Sequence, residues 1–311
     1  MAGFPRLLVS SVVRGSRQGD SHGGLYLCDL NAGKFEQVLD WNTSDIDWEG
    51  RGADRGLRGI VIMGEDIFIA ASEELFVFDR AFRRKASYRN PYLKHCHEMS
   101  LAGDKLWLTS TGFDSLLRFD LASRAFDFGI QLLLANQKLN ARTFDPRGPG
   151  GPAPANEFHI NSVHADATGI FAAGRRIPGL VQLTQAGVGM VAPLPLGTHN
   201  ARPFNGGVLY NDTDNDCVKW VGLGGQAKGR EVSIPVPRYD EGKLTHIDFD
   251  ESGLARQAFG RGLCPLSSTM IAAGSSPTTI AIHDLAARKT RALNITMDIR
   301  NAAHGLAVWP F

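Results

Sequence analysis

Two histidines stand one residue apart in the stretch KHCHEMSLAGDKLWLTS, which covers residues 94–110. They are His95 and His97, and the residues that follow them have the apolar and polar alternation of a β-strand. An imidazole exchanges its proton near neutral pH and also binds transition metals. The pair therefore suits acid–base chemistry or metal binding. Whether it has such a role or only packs in the core depends on the secondary-structure elements that position it.

The surrounding sequence is built from a repeated unit. The segment GDKLWLTSTGFDSLLRFDL reads as two short strands joined by a tight turn. Four more segments have the same order: GEDIFIAASEELFVFDR, ATGIFAAGRRIPGLVQL, NGGVLYNDTDNDCVKWV and SSTMIAAGSSPTTIAIHDL. The N-terminal PRLLVSSVVRGSRQGDSHGGLYLCDLNAGKFEQVL lacks a preceding strand, and the C-terminal AAHGLAVWPF is a lone strand. Together these two fragments complete a sixth unit.

Six strand repeats without helical periodicity predict an all-β fold, a six-bladed β-propeller. One blade would be closed by the N- and C-terminal strands, which removes the exposed edges of an open array. We expect residues 1–311 to form a single propeller domain. Two domains or a β-sandwich is the alternative, and it explains the divided terminal unit poorly.

Alignment of the units predicts one polar residue at the start of each innermost strand. Each unit has a pair of apolar or aromatic residues in its second strand, and the units are aligned on this pair. The residue ten positions before the second member of the pair then marks the start of the innermost strand. The likeness of HGLAVW to RGIVIM and RGLCPL supplies the C-terminal unit. Inner strands line the channel of a propeller. We therefore expect a ring at one mouth of the channel, formed by Arg58, His97, Asn161, Asn200, Arg261 and His304.

This ring favours an anionic small-molecule ligand. Two guanidiniums and two imidazoles that converge on a narrow mouth need an anion, water or a metal-bound ligand as their complement. We expect Arg58 and Arg261 to bind a carboxylate or phosphate, and Asn161 and Asn200 to orient the substrate. The alternative is a polar, water-filled channel without a function.

Two chemistries remain open for the histidines. In the first, His97 and His304 flank Arg58 in blade order and act as catalytic acid and base, with the neighbouring guanidinium lowering the imidazole pKa. In the second, imidazoles converge on a divalent transition metal such as Zn, Mn, Fe or Cu. Strand alternation would put each histidine that lies two residues before a ring position on the same side as that position. The candidate metal ligands are His95, His97, His159, His199 and His304.

Long connections lead into alternate inner strands, over residues 42–57, 131–158 and 238–259. They are expected to project over the face that carries the ring, where loops of this length commonly carry function. The segment NDTDND, residues 211–216, is interpreted as an Asx-rich turn. It lacks the central glycine and the distal glutamate of a calcium loop.

Composition narrows the classes of partner and compartment. The chain is 43% hydrophobic and 21% charged with a net charge of +1, which gives no reason to expect nucleic acid or a membrane as partner. No apolar run approaches the ~18 residues of a membrane span. Four scattered cysteines without a CxxC pair are typical of reduced thiols, and we expect a cytoplasmic location. The sequence does not indicate an oligomeric state.

Four segments in order carry a family likeness: KHCHEMSLAGDKLWLTSTGFDSLLRFD, FHINSVHAD, GTHNARPFNGGVLYND and FGRGLCPLSSTMIAAGSS. Over roughly residues 90–311 the chain resembles an uncharacterised bacterial β-propeller family that is labelled only as a domain of unknown function. The resemblance implies the propeller and the importance of the ring face, and it names no reaction. At fold level the chain is also similar to lactonase, strictosidine-synthase-like and lyase propellers. The positions that match the family's motifs are Glu98, Asn161, His199, Arg202 and Arg261.

The sequence thus favours an enzyme that acts on a small anionic substrate at the channel mouth, by metal-assisted or histidine acid–base chemistry. Lyase, isomerase and hydrolase reactions all remain open. The alternative is a non-catalytic propeller that binds a carbohydrate, a peptide or a partner protein through the same loops. A pure scaffold is the third interpretation.

Overall fold

The computed structural model describes residues 3–42, 56–248 and 255–311. Within these ranges the chain forms twenty-five β-strands in six antiparallel sheets. The helical structure in the same ranges consists of two short 3₁₀ turns, Gly225–Ala227 and Glu241–Lys243. No helix in the described residues is long and apolar enough to cross a membrane.

The six sheets are the blades, and the strands of each are given from the channel outward. Blade 1 consists of β25 (Asn301–Val308), β1 (Leu7–Val13), β2 (Gly24–Asp29) and β3 (Lys34–Asp40). Blade 2 consists of β4 (Ile60–Met63), β5 (Asp66–Ala71), β6 (Glu74–Phe78) and β7 (Arg84–Arg89). Blade 3 consists of β8 (Met99–Ala102), β9 (Lys105–Ser110), β10 (Ser115–Asp120), β11 (Ala125–Ala135) and β12 (Lys138–Phe144). Blade 4 consists of β13 (Ile160–Asp166), β14 (Gly169–Gly174), β15 (Gly179–Thr184) and β16 (Gly187–Pro193). Blade 5 consists of β17 (Thr198–Phe204), β18 (Gly207–Asp212), β19 (Cys217–Gly222) and β20 (Glu231–Pro235). Blade 6 consists of β21 (Phe259–Pro265), β22 (Met270–Ser276), β23 (Thr279–Asp284) and β24 (Lys289–Asn294).

The prediction of a six-bladed propeller is confirmed. The first strand of each blade contacts the first strand of the next, and β21 contacts β25, so the inner strands form a closed circle. The predicted closure is also present, because C-terminal β25 pairs antiparallel with N-terminal β1 from Leu7↔Val308 to Val13↔Asn301. The circle therefore has no open strand edge at the chain ends.

The hydrophobic core lies between the blades. Six clusters of buried side chains each combine residues of two neighbouring blades, as Leu75 of blade 2 does with Leu106 of blade 3. Middle strands are buried on both faces, whereas outer strands such as β7 expose most of their residues. This burial explains why the middle strands read as continuous apolar runs. The packing of the middle strands also holds the inner strands in place, and these strands carry the side chains that face the channel.

One predicted loop is partly strand. Residues 131–158 were expected to project as a long loop, but β11 continues to Ala135 and pairs with β12. Asn136 and Gln137 join the two strands with φ values of 52° and 61°. Two consecutive residues with positive φ form the tight primed turn that suits the twist of a hairpin. The predicted loop 42–57 falls almost entirely on residues 43–55, which lie outside the described residues. Of the predicted loop 238–259, residues 249–254 lie outside the described residues, and the rest contains the 3₁₀ turn Glu241–Lys243 and the first residue of β21.

The four cysteines carry free thiols. Cys28, Cys96 and Cys217 are buried, and Cys264 is half-buried. Burial raises the pKa of the Cys28 and Cys96 thiols to about 12, so both stay protonated at neutral pH. They behave as small core residues.

His283 couples the stability of blade 6 to pH. Its side chain is fully buried in β23, and Nδ1 lies 2.8 Å from Thr290 Oγ1. Burial lowers the pKa of His283 to about 4. The unfolded chain takes up this proton near pH ~6.5, so the free energy of unfolding should fall as the pH drops from there toward about 4. At pH ~5 we expect this histidine alone to lower it by about 2 kcal/mol.

Urea unfolding of the wild type and of His283→Leu, at about pH 7.5 and about pH 5, checks this expectation. The variant should lose roughly 2 kcal/mol of the pH dependence. An unchanged pH dependence in the variant would show that His283 is not the titrating group.

Candidate functional site

The six polar residues of the predicted ring all lie where the inner strands begin. Arg58 and His97 lie two residues before the first residues of β4 and β8. The other four lie within β13, β17, β21 and β25. His97 is half-buried and the rest are buried, with Arg58 only 1% exposed. The ring thus lies inside the channel, on the inner strands or directly next to them.

The inner strands pair irregularly with their neighbours at the ring positions, so the side chains there do not follow the regular alternation of a strand. The ladder to the second strand skips Asn161 in β13, Gly262 in β21 and His304 in β25. In β17 the register shifts between His199 and Arg202. A β-bulge bends the strand and re-aims a side chain. Simple alternation therefore does not fix the direction of His199, whose ring is 2% exposed.

Glycine follows the ring residue in three blades because neighbouring backbones touch there. A Cβ atom at Gly305 would lie 2.1 Å from the Arg58 carbonyl oxygen. At Gly262, which has a φ of +66°, it would lie 2.5 Å from the His304 carbonyl oxygen. A real Cβ does not approach backbone atoms this closely, so a side chain there would push the inner strands apart.

Three imidazoles meet at the mouth of the channel. The ring centroid of His97 lies 5.3 Å from that of His159 and 6.1 Å from that of His304. His97 Nδ1 lies 2.7 Å from the His95 carbonyl oxygen, to which its N–H donates a hydrogen bond. The neutral ring then carries its lone pair on Nε2.

Burial and guanidinium charges keep the imidazoles at the mouth neutral. Burial, followed by the charge of Arg58, holds the pKa of His97 and of His304 well below the ordinary value, and Arg261 adds to both effects. Burial and then Arg261 lower the pKa of His159 to about 3. A neutral imidazole can accept a proton, and an anion bound at the guanidiniums would offset their charge and raise the imidazole pKa.

An aromatic ring organises the cations on one side of the mouth. The Arg261 guanidinium carbon lies 3.8 Å from the centroid of Phe259, and those of Arg256 and Arg14 lie 4.9 and 5.2 Å from it. The His199 ring stands 6.0 Å from the same centroid. Guanidiniums favour the negative face of an aromatic ring, so Phe259 gathers positive charge at this place.

The two ring asparagines tie inner strands together. Asn161 Nδ2 donates to the Thr198 carbonyl oxygen at 3.0 Å. Asn200 Oδ1 accepts from the Gly262 amide and from Asn211 Nδ2, both at 3.0 Å. These bonds give both residues a structural role at the blade interfaces, and substrate orientation by them stays a prediction.

His95 and His159 both precede their strands with φ values of 54° and 53°, so strand alternation does not govern them. The structure brings His159 to His97, whereas His95 Nδ1 lies 3.5 Å from Ser72 Oγ in blade 2. In the described ranges, no three histidine, cysteine, aspartate or glutamate side chains are grouped to hold a metal ion. The described donors do not fit a complete metal centre, and the metal remains a prediction.

A cavity of about 220 Å³ lies in the channel on the far side of the ring, and we call it the chamber. His97, Asn200 and His304 line it from the ring. The inner strands run away from the mouth, so the residues after the ring positions form its wall. The polar side chains of this wall are Glu98, Ser100, His164, Arg202 and Cys264.

Glu98 is a functional candidate that lies outside the predicted ring and that the family resemblance alone had named. It occupies the position where the other units carry Gly59, Gly262 or Gly305, and it brings a carboxyl group into the channel there. Its Oε2 accepts a hydrogen bond from the Val163 amide at 3.2 Å. Burial raises the pKa of Glu98 to about 7, against the opposing charge of Arg202. The sequence signal is this departure from glycine.

A chain of hydrogen bonds positions Arg202 from the far face of the propeller. Arg202 Nη2 donates to His164 Nδ1 at 2.9 Å. His164 Nε2 donates in turn to Asp166 Oδ2 at 3.1 Å. Burial, with the charge of Arg202, lowers the pKa of His164. The neutral imidazole is fixed in one tautomer and holds the guanidinium in place.

Two of the three aspartates of residues 211–216 are bonded by nearby side chains. Lys219 Nζ lies 3.0 Å from Asp212 Oδ2, and Asn215 Nδ2 donates to the same carboxylate. Asp216 forms ion pairs with Arg238 and Arg256. These partners agree with the interpretation of the segment as an Asx-rich turn.

No protein-family model matches this sequence, and no curated protein sequence matches it. The fold does match solved structures. A structure of the nidogen/laminin complex has a TM-score of 0.59 and 11% identity, covering 97% of each chain. A streptogramin B lyase structure has a TM-score of 0.50 and 10% identity, covering 96% of this chain and 91% of the lyase. At such identities the likeness concerns the fold alone.

Fold and comparisons together define the class: the chain is a six-bladed β-propeller with a polar ring in its channel. Of the likeness to one bacterial family, the comparisons support the propeller fold alone.

Proposed function

We propose that the protein is an enzyme that binds a small organic anion at the ring and transfers a proton with His97 and His304. The observation that carries this proposal is the combination of neutral imidazoles and guanidiniums at one mouth. Arg58 and Arg261 lower the pKa of both histidines, so the positive potential reaches the place where the imidazoles stand.

The roles follow from this electrostatic pattern. The guanidiniums of Arg58 and Arg261 attract a carboxylate or phosphate group, for which arginine has matching geometry. His97, with its lone pair on Nε2, is the base that removes a proton from the bound substrate. His304, 6.1 Å away, is the second proton carrier. This pair suits a lyase, an isomerase or a hydrolase.

A divalent transition metal at the imidazoles is a second form of the proposal. Since the described residues do not gather three ligands, no step is assigned to a metal. Metal analysis of the purified protein beside His97→Ala separates the two forms.

Anion binding at the ring is the first part to test. Titration calorimetry with phosphate, succinate and citrate should reveal binding to the wild type. Arg261→Gln should weaken it at least ~10-fold, because a charge-assisted hydrogen bond contributes about 1.5–3 kcal/mol. Arg142→Gln is the matched control, since Arg142 is an exposed residue of β12 that bonds Gln131.

Arg261→Lys is a second control that keeps the positive charge, so retained binding in it shows that a loss in Arg261→Gln does not come from misfolding. Equal affinities in the wild type and Arg261→Gln would contradict an anion site at this residue. If an anion binds but no organic acid is consumed, the interpretation as a non-catalytic ligand-binding propeller replaces the interpretation as an enzyme.

A further inference from the structure

The chamber is lined by one acidic and one basic side chain that do not form an ion pair with each other. Glu98 and Arg202 both line it. Glu98 directly precedes β8, and Arg202 lies within β17. In the described part of the chain no ion pair within 4.0 Å joins them, although the charge of Arg202 influences the Glu98 pKa. Buried opposite charges are stabilised when something complementary lies between them.

Each charge is anchored by partners of its own. The Val163 amide of blade 4 holds one carboxylate oxygen of Glu98, and the Asn200 side chain of blade 5 also bonds this carboxyl group. His164 holds Nη2 of Arg202, and Asp166 holds His164. These anchors keep the two groups apart on separate blades. The space between them is therefore a built feature of the channel wall.

We propose that the chamber is a binding site for a small α-amino acid, with the ligand carboxylate on Arg202 and the ligand ammonium on Glu98. The site lies beyond the ring and uses neither Arg58 nor Arg261. It goes further than the proposed function and does not rest on it.

Charge and size favour this class of ligand. Above pH ~7, where Glu98 is mostly ionised, a zwitterion pairs with both groups and leaves the chamber neutral, whereas a simple carboxylate would meet Arg202 but be repelled by Glu98. The volume of about 220 Å³ is below the roughly 300–1,000 Å³ of sites for drug-sized ligands, so it suits a compact molecule. His164 is mostly buried and Asp166 is 40% exposed, so the hydrogen-bonded chain leads from the far face into the chamber.

The first experiment compares three ligands on the wild-type protein. L-alanine is titrated beside propionate, which lacks the ammonium, and ethylamine, which lacks the carboxylate. We expect L-alanine to bind at least ~10-fold more tightly than either fragment. Equal binding of propionate would overturn the assignment of the ammonium to Glu98. No binding of glycine, L-alanine or L-serine at up to about 10 mM would overturn the site.

The second experiment uses variants whose folding is checked by circular dichroism. Arg202→Gln and Glu98→Gln should each lower the L-alanine affinity at least ~10-fold, because each removes one charge. Gln at position 98 keeps an oxygen for the Val163 amide. Arg142→Gln should bind L-alanine as the wild type does. Unchanged affinity in either chamber variant would overturn the proposal. Anion binding at the ring is measured separately with phosphate, so failure of one site leaves the other intact.

Discussion

His97→Ala should abolish turnover of any organic anion that the wild type consumes, while the anion still binds. General acid–base catalysis contributes about 10²–10⁴-fold, and we expect a loss of kcat in that range. The KM should change little, because the guanidiniums of Arg58 and Arg261 remain. Consumption of candidate organic acids is followed by NMR, and kcat and KM are then measured for the substrate found.

A control separates the chemistry from the packing. His283→Leu removes a fully buried histidine of β23, far from the channel wall, and should leave kcat unchanged above pH ~7. His304→Ala should lower kcat as His97→Ala does. Wild-type kcat in His97→Ala would remove His97 from the reaction.

Gly262→Ala should lower the free energy of unfolding by about 3 kcal/mol. The φ of +66° costs an alanine about 1–2 kcal/mol, and the contact of its Cβ with the His304 carbonyl oxygen at 2.5 Å adds overpacking of about 1–3 kcal/mol. Both effects act where β21 meets β25, the strand that closes the circle.

Gly64→Ala is the matched control for this substitution. Gly64 has a φ of +57°, and a Cβ there would meet no atom within 4 Å. It should cost only the backbone strain of about 1 kcal/mol. Chemical unfolding of both variants measures the difference, which reports the contact between inner strands alone. Equal losses in the two variants would mean that the strands tolerate a side chain at Gly262.

The fold was predictable because each blade repeats its strand order. Strand periodicity and turn residues identified six units, and the lone strand AAHGLAVWPF indicated the closure by β25. The fifth strand of blade 3 was missed. Its turn, Asn136–Gln137, lacks the glycine that usually marks a primed turn.

The candidate site was less predictable, because its geometry depends on bulges and on contacts between blades. Counting along the units located the ring positions at the starts of the inner strands. It did not reveal that Asn161 and Asn200 bond neighbouring strands. The partnership of Glu98 and Arg202 joins positions far apart in the chain, and no local pattern relates them.

The most direct test of the account is an NMR titration of the histidine side chains. We expect His97 and His304 to titrate well below pH ~6.5 in the folded protein, whereas the same residues in the urea-unfolded chain titrate near that pH. In Arg261→Gln the pKa of His159 and of His304 should rise, because Arg261 lowers both. Titration of His97 and His304 near pH ~6.5 in the folded protein, unaffected by Arg261→Gln, would contradict the central claim that guanidiniums hold neutral imidazoles at the mouth.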